Sequence, residues 1–180
     1  QRSNYAQREA ALALRRPARD GPTALVNHGA NPGLVSHLLK QALLDVARDT
    51  GVQTALPRTR AEWARLAQRL GVRVIHVAER DTQVAKPRKT PGEFVNTWSV
   101  RAFVDEGCQP AELGWGSHER ALPADASQHA TGSRAAIFLN RPGMSTRVRS
   151  WTPLTGPMHG FLITHGESIS IADLLTLGEP

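Results

Sequence analysis

Apolar and polar positions along the chain predict alternating helices and strands. In several segments, apolar residues recur at intervals of three and four, which is the pattern of amphipathic helices with one buried face. Glycines after residues 50, 70 and 106 mark the ends of three of these helices. The helices predicted in this way span residues 4–16, 34–49, 60–70, 100–106 and 169–177.

Short apolar runs between these helices predict strands. The clearest is residues 72–78, where Val72, Val74, Ile75 and Val77 are all β-branched. Further strands are predicted over residues 24–26, 94–99, 134–139, 146–151 and 161–164. Residues 110–123 are predicted to be irregular or mixed, and residues 125–132 a polar loop. Predicted strands alternate with helices in the first part of the chain and are more closely spaced in the second part. This order predicts an α/β fold of the α+β type with a mixed sheet.

The segment Asn27-His28-Gly29-Ala30-Asn31-Pro32-Gly33 joins the first predicted strand to the helix at 34–49. Its glycines, proline and asparagines predict a tight strand–loop–helix junction. Such junctions at the carboxyl ends of strands are where open α/β sheets bind ligands. The stretch His165-Gly166-Glu167-Ser168 repeats the arrangement near the other end of the chain.

Composition narrows the class of protein without identifying a function. The chain has 180 residues, is 40% apolar and carries a net charge of +6, values typical of a globular domain. Its arginines are scattered rather than interleaved with aromatic residues, which favours a solvated surface over a nucleic-acid interface. No apolar run approaches the ~20 residues of a membrane span. The single cysteine, Cys108, fits a reducing compartment, so the cytoplasm is expected.

Common catalytic motifs are missing from the sequence. No Gly-x-Gly-x-x-Gly follows a strand, so the chain has no dinucleotide-binding fingerprint of its own. The histidines form no His-Glu-x-x-His motif and the lone cysteine forms no thiolate pair, so no metal site is predicted. No serine lies in a Gly-x-Ser-x-Gly elbow, which argues against a hydrolase triad.

Five side chains at or beyond the ends of predicted strands form the candidate site: Asn31, Glu79, Trp98, Glu106 and His165. Parallel strands would bring them to one sheet edge. Carboxylates pair with ammonium groups and an indole offers a cation–π face, so the set predicts a pocket for a cation. Each residue also has a structural interpretation, as a turn residue, a core aromatic or ordinary helix surface.

The chain resembles the bacterial homospermidine synthase family, which is related to saccharopine dehydrogenase. The similarity runs from about residue 4 to residue 177. The ordered blocks that carry it are residues 27–36, 76–83, 94–99, 107–116, 146–151 and 160–165.

This resemblance implies a two-domain enzyme of which the chain is an internal fragment. Residues 1–22 would be a helix linking to an N-terminal Rossmann domain that the chain lacks. Residues 23–180 would be the catalytic, substrate-binding α/β domain, truncated at its C-terminus. The absence of an initiator Met and of the glycine fingerprint agrees with that interpretation.

The resemblance also implies a chemistry: NAD-dependent condensation of two putrescines to homospermidine with release of ammonia, in a homodimer. Catalytic roles would fall to His165, Glu79 and Trp98. Substrate would be bound by these three with Asn31 and Glu106, while Gly29, Asn31 and Pro32 would lie near the nicotinamide.

Two other interpretations remain open from the sequence. A saccharopine dehydrogenase-like oxidoreductase acting on an amino acid would need an arginine-rich pocket to pair with substrate carboxylates. A basic, non-enzymatic nucleic-acid-binding module would need a continuous arginine patch.

Overall fold

The computed structural model describes residues 3–15, 21–26, 28–79 and 81–178. Within these residues the helices are α1 (Asn4–Ala13), α2 (Leu34–Asp49), α3 (Arg60–Arg69), α4 (Val100–Cys108) and α5 (Gly166–Leu175). The strands are β1 (Pro110–Gly114), β2 (Ala126–Gln128), β3 (Ala136–Pro142), β4 (Arg147–Thr152) and β5 (Gly156–Phe161), with a 3-10 helix at Gly143–Ser145.

The strands form two separate antiparallel sheets. One has the order β1-β3-β2, and the other is the hairpin β4–β5. Along β4, exposed and half-buried residues alternate, with Arg147, Arg149 and Trp151 on the exposed face. The prediction of a strand at residues 146–151 is therefore confirmed to within a residue at each end.

One hydrophobic cluster joins α2 to α3. Leu43 and Ala47 of α2 are buried against Trp63, Leu66 and Ala67 of α3. A capping box starts α3: the Thr59 side chain accepts from the backbone N–H of Glu62, and the Glu62 carboxylate accepts from the backbone N–H of Thr59. This reciprocal pair satisfies donors that the first helical turn leaves without partners.

A second cluster fixes α5, the helix that begins next to the candidate site. Ile169 of α5 is buried with Ala136 of β3 and Tyr5 of α1. A Cβ at Gly114 of β1 would lie 2.5 Å from the backbone oxygen of Ser168. Glycine at this position therefore lets α5 approach β1 closely, which fixes the start of α5 relative to the sheet.

Three predicted strands are wrong. Residues 24–26, 72–78 and 94–99 all lie in the described part of the chain, and none of them forms a strand. Several of their apolar side chains are exposed, such as Leu25 at 77% and Val74 at 71%. β-branched residues favour a strand only where a second strand pairs with them. Within the described residues, no strand pairs with any of these three segments.

Other predictions err in position. The polar loop at residues 125–132 contains β2, and the irregular segment at 110–123 begins with β1, since both pair with β3. The strand at 161–164 is wrong because β5 ends at Phe161; Thr164 is instead tied to β1 by its hydroxyl. Arg134 has a φ of 55°, so β3 starts after it, at Ala136.

The helical predictions are confirmed with small shifts. α2 matches residues 34–49, and α3 ends one residue earlier than predicted. α4 continues past Gly107 to Cys108, and α5 covers residues 166–175 rather than 169–177. α1 covers residues 4–13, and residue 16, the predicted end, lies outside the described residues.

The α/β fold class is confirmed. The division into a linking helix at residues 1–22 and a domain at 23–180 stays a prediction. Within the chain, α1 is bonded to α5 and to the loop before it: Asn4 Nδ2 donates to the Thr164 carbonyl at 2.9 Å, and Arg8 pairs with Asp173 at 2.6 Å.

Candidate active site

The loop at residues 28–33 folds back on itself and presents Asn31. The Gly29 N–H donates to the Pro32 carbonyl at 2.7 Å, and the Leu34 N–H donates to the Gly29 carbonyl at 2.8 Å. Gly33, the residue before α2, has a φ of 129°, and a Cβ there would lie 2.7 Å from both the nitrogen and the oxygen of Gly29. Only glycine allows this closure without strain. Asn27 lies outside the described residues.

His165 is held at the N-cap of α5, directly after a buried anchor. The anchor is Thr164, whose hydroxyl donates to the Pro110 carbonyl and accepts from the Glu112 N–H, both at 3.1 Å. The His165 ring is half-buried, and its Nδ1 lies 2.8 Å from Asn31 Oδ1. The first and last parts of the chain therefore meet at this bond.

Three carboxylates surround the same imidazole and its amide partner. Glu106, near the end of α4, places Oε2 3.4 Å from His165 Nε2. Glu167, in the first turn of α5, places Oε2 3.6 Å from His165 Nδ1. Glu79 accepts a short hydrogen bond from Asn31 Nδ2. The site is thus an acidic cluster centred on one histidine.

These charges favour the protonated form of His165. The Glu167 carboxylate has the largest effect and raises the pKa of His165 above its ordinary value. Burial lowers that pKa, while the negative charges of Glu106 and Glu79 raise it further. The net shift is upward because nearby opposite charges stabilise the cation by more than burial disfavours it.

Trp98 belongs to a separate aromatic group at the start of α4. Its indole packs edge-to-face against the Phe103 ring, with 6.4 Å between the ring centroids. The Phe103 ring in turn packs against Phe94, with 5.5 Å between centroids. The indole is 49% exposed. Trp98 precedes Ser99, the N-cap of α4, whereas Glu106 lies near the C-terminal end of that helix. Trp98 therefore lies toward the opposite end of α4 from Glu106, with free indole surface.

The structure brings together Asn31, Glu79, Glu106 and His165. The predicted cause of this clustering is wrong, because the sheets of the described residues are antiparallel and no parallel sheet edge gathers these side chains. The loop at Asn31, the irregular segment at Glu79, the end of α4 and the start of α5 do so instead. Sequence reasoning did not single out Glu167; its position two residues after His165, where a helix N-terminus favours acids, was the available signal.

The cluster is suited to binding a cation and to moving a proton. Its carboxylates can accept from ammonium groups, and its imidazole can donate and accept a proton. Among the described residues, no three or more His, Cys, Asp or Glu side chains are grouped so that they could hold a metal ion. In the same residues, no helix has the length and apolarity needed to cross a bilayer.

Known proteins with similar sequences share one activity. The chain is 58% identical over 176 residues to a homospermidine synthase of Blastochloris viridis and 49% identical over 178 residues to one of Mesorhizobium japonicum. Each match covers 98% of this chain and 37% of the relative. The chain thus spans little more than a third of the length of these relatives.

The fold is also similar to that of a solved enzyme. The crystal structure of homospermidine synthase from Legionella pneumophila, in complex with NAD, matches with a TM-score of 0.89 and 54% sequence identity. The match covers 99% of this chain and 38% of that one. The family model for the saccharopine dehydrogenase C-terminal domain matches residues 29–180, which is most of the chain. This chain therefore belongs to the saccharopine dehydrogenase C-terminal domain family.

Proposed function

We propose that the protein carrying this chain is a homospermidine synthase, which condenses two putrescines to homospermidine and releases ammonia. One observation carries the proposal: three carboxylates, of Glu79, Glu106 and Glu167, converge on His165 and its amide partner Asn31. Such a cluster complements a diamine substrate, which is a dication in water. Supporting it are the relatives of the same activity at 49–58% identity.

The charge of the site argues against an amino-acid substrate. A saccharopine-type substrate carries carboxylates, which would be repelled by an acidic cluster and would need arginines to pair with. The groups that raise the pKa of His165 are all carboxylates. The proposed pocket therefore selects amines, although the chain as a whole has a net charge of +6.

NAD is the proposed cofactor, since the Legionella pneumophila relative was crystallised with it. When bound, NAD accepts a hydride and returns it. Gly29 suits a position next to the nicotinamide because it is exposed and lacks a side chain at the surface of the closed loop. Asn31 and Pro32 form the rest of that wall. The sequence has no fingerprint for the pyrophosphate, so this chain holds only the nicotinamide end.

Each side chain has a proposed task. Glu79 and Asn31 bind and orient the reacting amine end, and His165 donates and accepts the proton exchanged with it. Glu106 pairs with the other ammonium of the substrate. Trp98 faces a cationic amine or iminium with its indole, a contact that contributes about 0.5–2 kcal/mol.

Three further features complete the proposal. Putrescine and related polyamines are the small-molecule partners, the active protein is a homodimer, and it resides in the cytoplasm. The last point is supported by the single, exposed thiol of Cys108, which suits a reducing compartment.

The test is to supply the native-length protein with putrescine and NAD. We expect homospermidine and ammonia in equal amounts by mass spectrometry and enzymatic ammonia assay, without net accumulation of NADH at 340 nm. Net NADH formation with an amino acid, and none of the polyamine product, would instead support the oxidoreductase alternative. Binding of nucleic acid that weakens steeply with salt, with neither reaction, would support the nucleic-acid module.

A further inference from the structure

The hydrogen bonds of the site define which nitrogen of His165 carries a proton. An ionised Glu79 can only accept, so the Asn31 group facing it is the amide nitrogen. The amide oxygen must then face His165 Nδ1, 2.8 Å away, and Nδ1 must donate. At the other side of the ring, Nε2 lies 3.4 Å from Glu106 Oε2, an ion pair when the ring is protonated. The doubly protonated imidazolium is therefore the form that suits both partners.

Glu167 differs from the other two carboxylates in its exposure. Its side chain is 5% exposed, whereas that of Glu106 is 27% exposed and Glu79 is an exposed residue. Within the described residues, neither of its carboxylate oxygens has a hydrogen-bond partner, and its ion pair is with His165 at 3.6 Å. A buried carboxylate without a positive partner is strongly destabilising, so the imidazolium and the positive end of α5 are what stabilise it.

We propose that Glu167 is a positioning residue: it lies beside the Nδ1 edge of the His165 ring, which also faces Asn31, and keeps the ring protonated so that Nε2–H points toward Glu106 and the substrate. This inference rests on the proposed function of His165 as the proton donor. Glu167 is too buried to contact a diamine, so it acts through His165. Glu79 and Glu106 keep enough exposure to bind the substrate directly.

The proposal gives a definite pH dependence. Glu167 on α5, Glu106 on α4 and Glu79 all raise the pKa of His165, with Glu167 first, and burial lowers it. A proton donor works below its pKa and is lost as pH rises through it. Neutralising Glu167 removes the largest of the effects that raise the pKa of His165, so the alkaline limb of the activity profile moves to lower pH. Above the new limb, turnover falls about tenfold per pH unit.

The experiment compares Glu167→Gln, Glu167→Asp and Glu106→Gln in the native-length protein with wild type. Imidazole ¹⁵N NMR follows the titration of His165, identified by its loss in His165→Gln, and steady-state assays give kcat and KM for putrescine across pH. In Glu167→Gln we expect both the midpoint and the alkaline limb of kcat to move to lower pH by the same interval. KM for putrescine should change less than about threefold. In Glu167→Asp, which keeps the negative charge, the midpoint and the alkaline limb should return most of the way to their wild-type positions.

Glu106→Gln is the matched control, since it also removes one carboxylate beside His165. It should raise KM for putrescine more than Glu167→Gln does. An unmoved His165 midpoint in a folded Glu167→Gln protein would overturn the inference, as would an equal rise in KM in both variants. The NMR titration needs no activity, so loss of the proposed function in every variant, wild type included, would be recognised separately.

Discussion

Replacing Asn31 by leucine tests whether the amide bridge organises the proposed site. Leucine has a similar volume but can neither donate to Glu79 nor accept from His165, so one substitution removes both bonds. Glu79 and His165 would then lose the hydrogen-bond partner that they share. We expect the fold to be retained and turnover to fall, because the residues that orient substrate and proton donor are no longer linked.

The size of the loss follows from the exposure of the two bonds. Hydrogen bonds to charged groups contribute about 1.5–3 kcal/mol. The His165 side chain is 23% exposed. Its hydrogen bond to Asn31 is therefore placed near the lower end of this range, at about 1.5–2 kcal/mol. Glu79 is exposed, so screening reduces its bond to about 0.5–1 kcal/mol. The sum, about 2–3 kcal/mol, corresponds to a loss of about 30- to 150-fold in kcat/KM.

The assay is steady-state formation of homospermidine by the native-length protein, with circular dichroism melting as the check on folding. Asn140→Leu, at an exposed position on β3, is the control and should change kcat/KM less than about twofold. Asn31→Asp distinguishes the effects of the two hydrogen bonds. Its carboxylate still accepts from His165, but it repels the Glu79 carboxylate instead of donating to it. A loss below threefold in a folded Asn31→Leu protein would refute the bridging role.

Three further variants test other parts of the interpretation. Trp98→Ala should lower kcat by about 2- to 30-fold if the indole faces a substrate cation; Trp151→Ala, on the exposed hairpin face, is its control, and unchanged turnover would refute the cation–π role. Leu66→Ala should reduce the free energy of unfolding by about 2–5 kcal/mol in denaturant titrations, because Leu66 is 2% exposed in the α2–α3 cluster. Gly33→Ala should lower both the melting temperature and turnover, since a Cβ there meets the Gly29 backbone. Gly51 also has a positive φ, of 71°, but a Cβ there would meet open space, so Gly51→Ala should affect turnover much less.

Helices were the part of the fold that local sequence predicted well. The spacing of apolar residues in α2 and α3, with the capping box at Thr59 and Glu62, encodes the start, the end and the buried face of each helix. A helix satisfies its backbone hydrogen bonds internally, so its sequence contains most of the necessary information. The strand at 146–151 was also predictable, since a short hairpin pairs with its immediate neighbour in sequence.

The failed strands show the opposite case. Residues 72–78 have the strongest β-propensity in the chain but form no strand in the described residues, whereas the weakly patterned Ala126–Gln128 does. A strand needs a partner for its backbone N–H and C=O groups, and that partner is set by the tertiary structure. Propensity alone therefore ranked these two segments in the wrong order.

For the candidate site, the sequence by itself determined the chemical inventory: an amide in a glycine- and proline-containing loop, two glutamates, a histidine in a polar turn, and a tryptophan. Their proximity was decided only by the tertiary structure, which joins Asn31 to His165 across 134 positions. The same is true of Glu167, because burial beside an imidazole depends on how α5 packs against β1 through Gly114. Residue types carry the possible chemistry, while long-range packing fixes the distances and the burial that determine each group's charge.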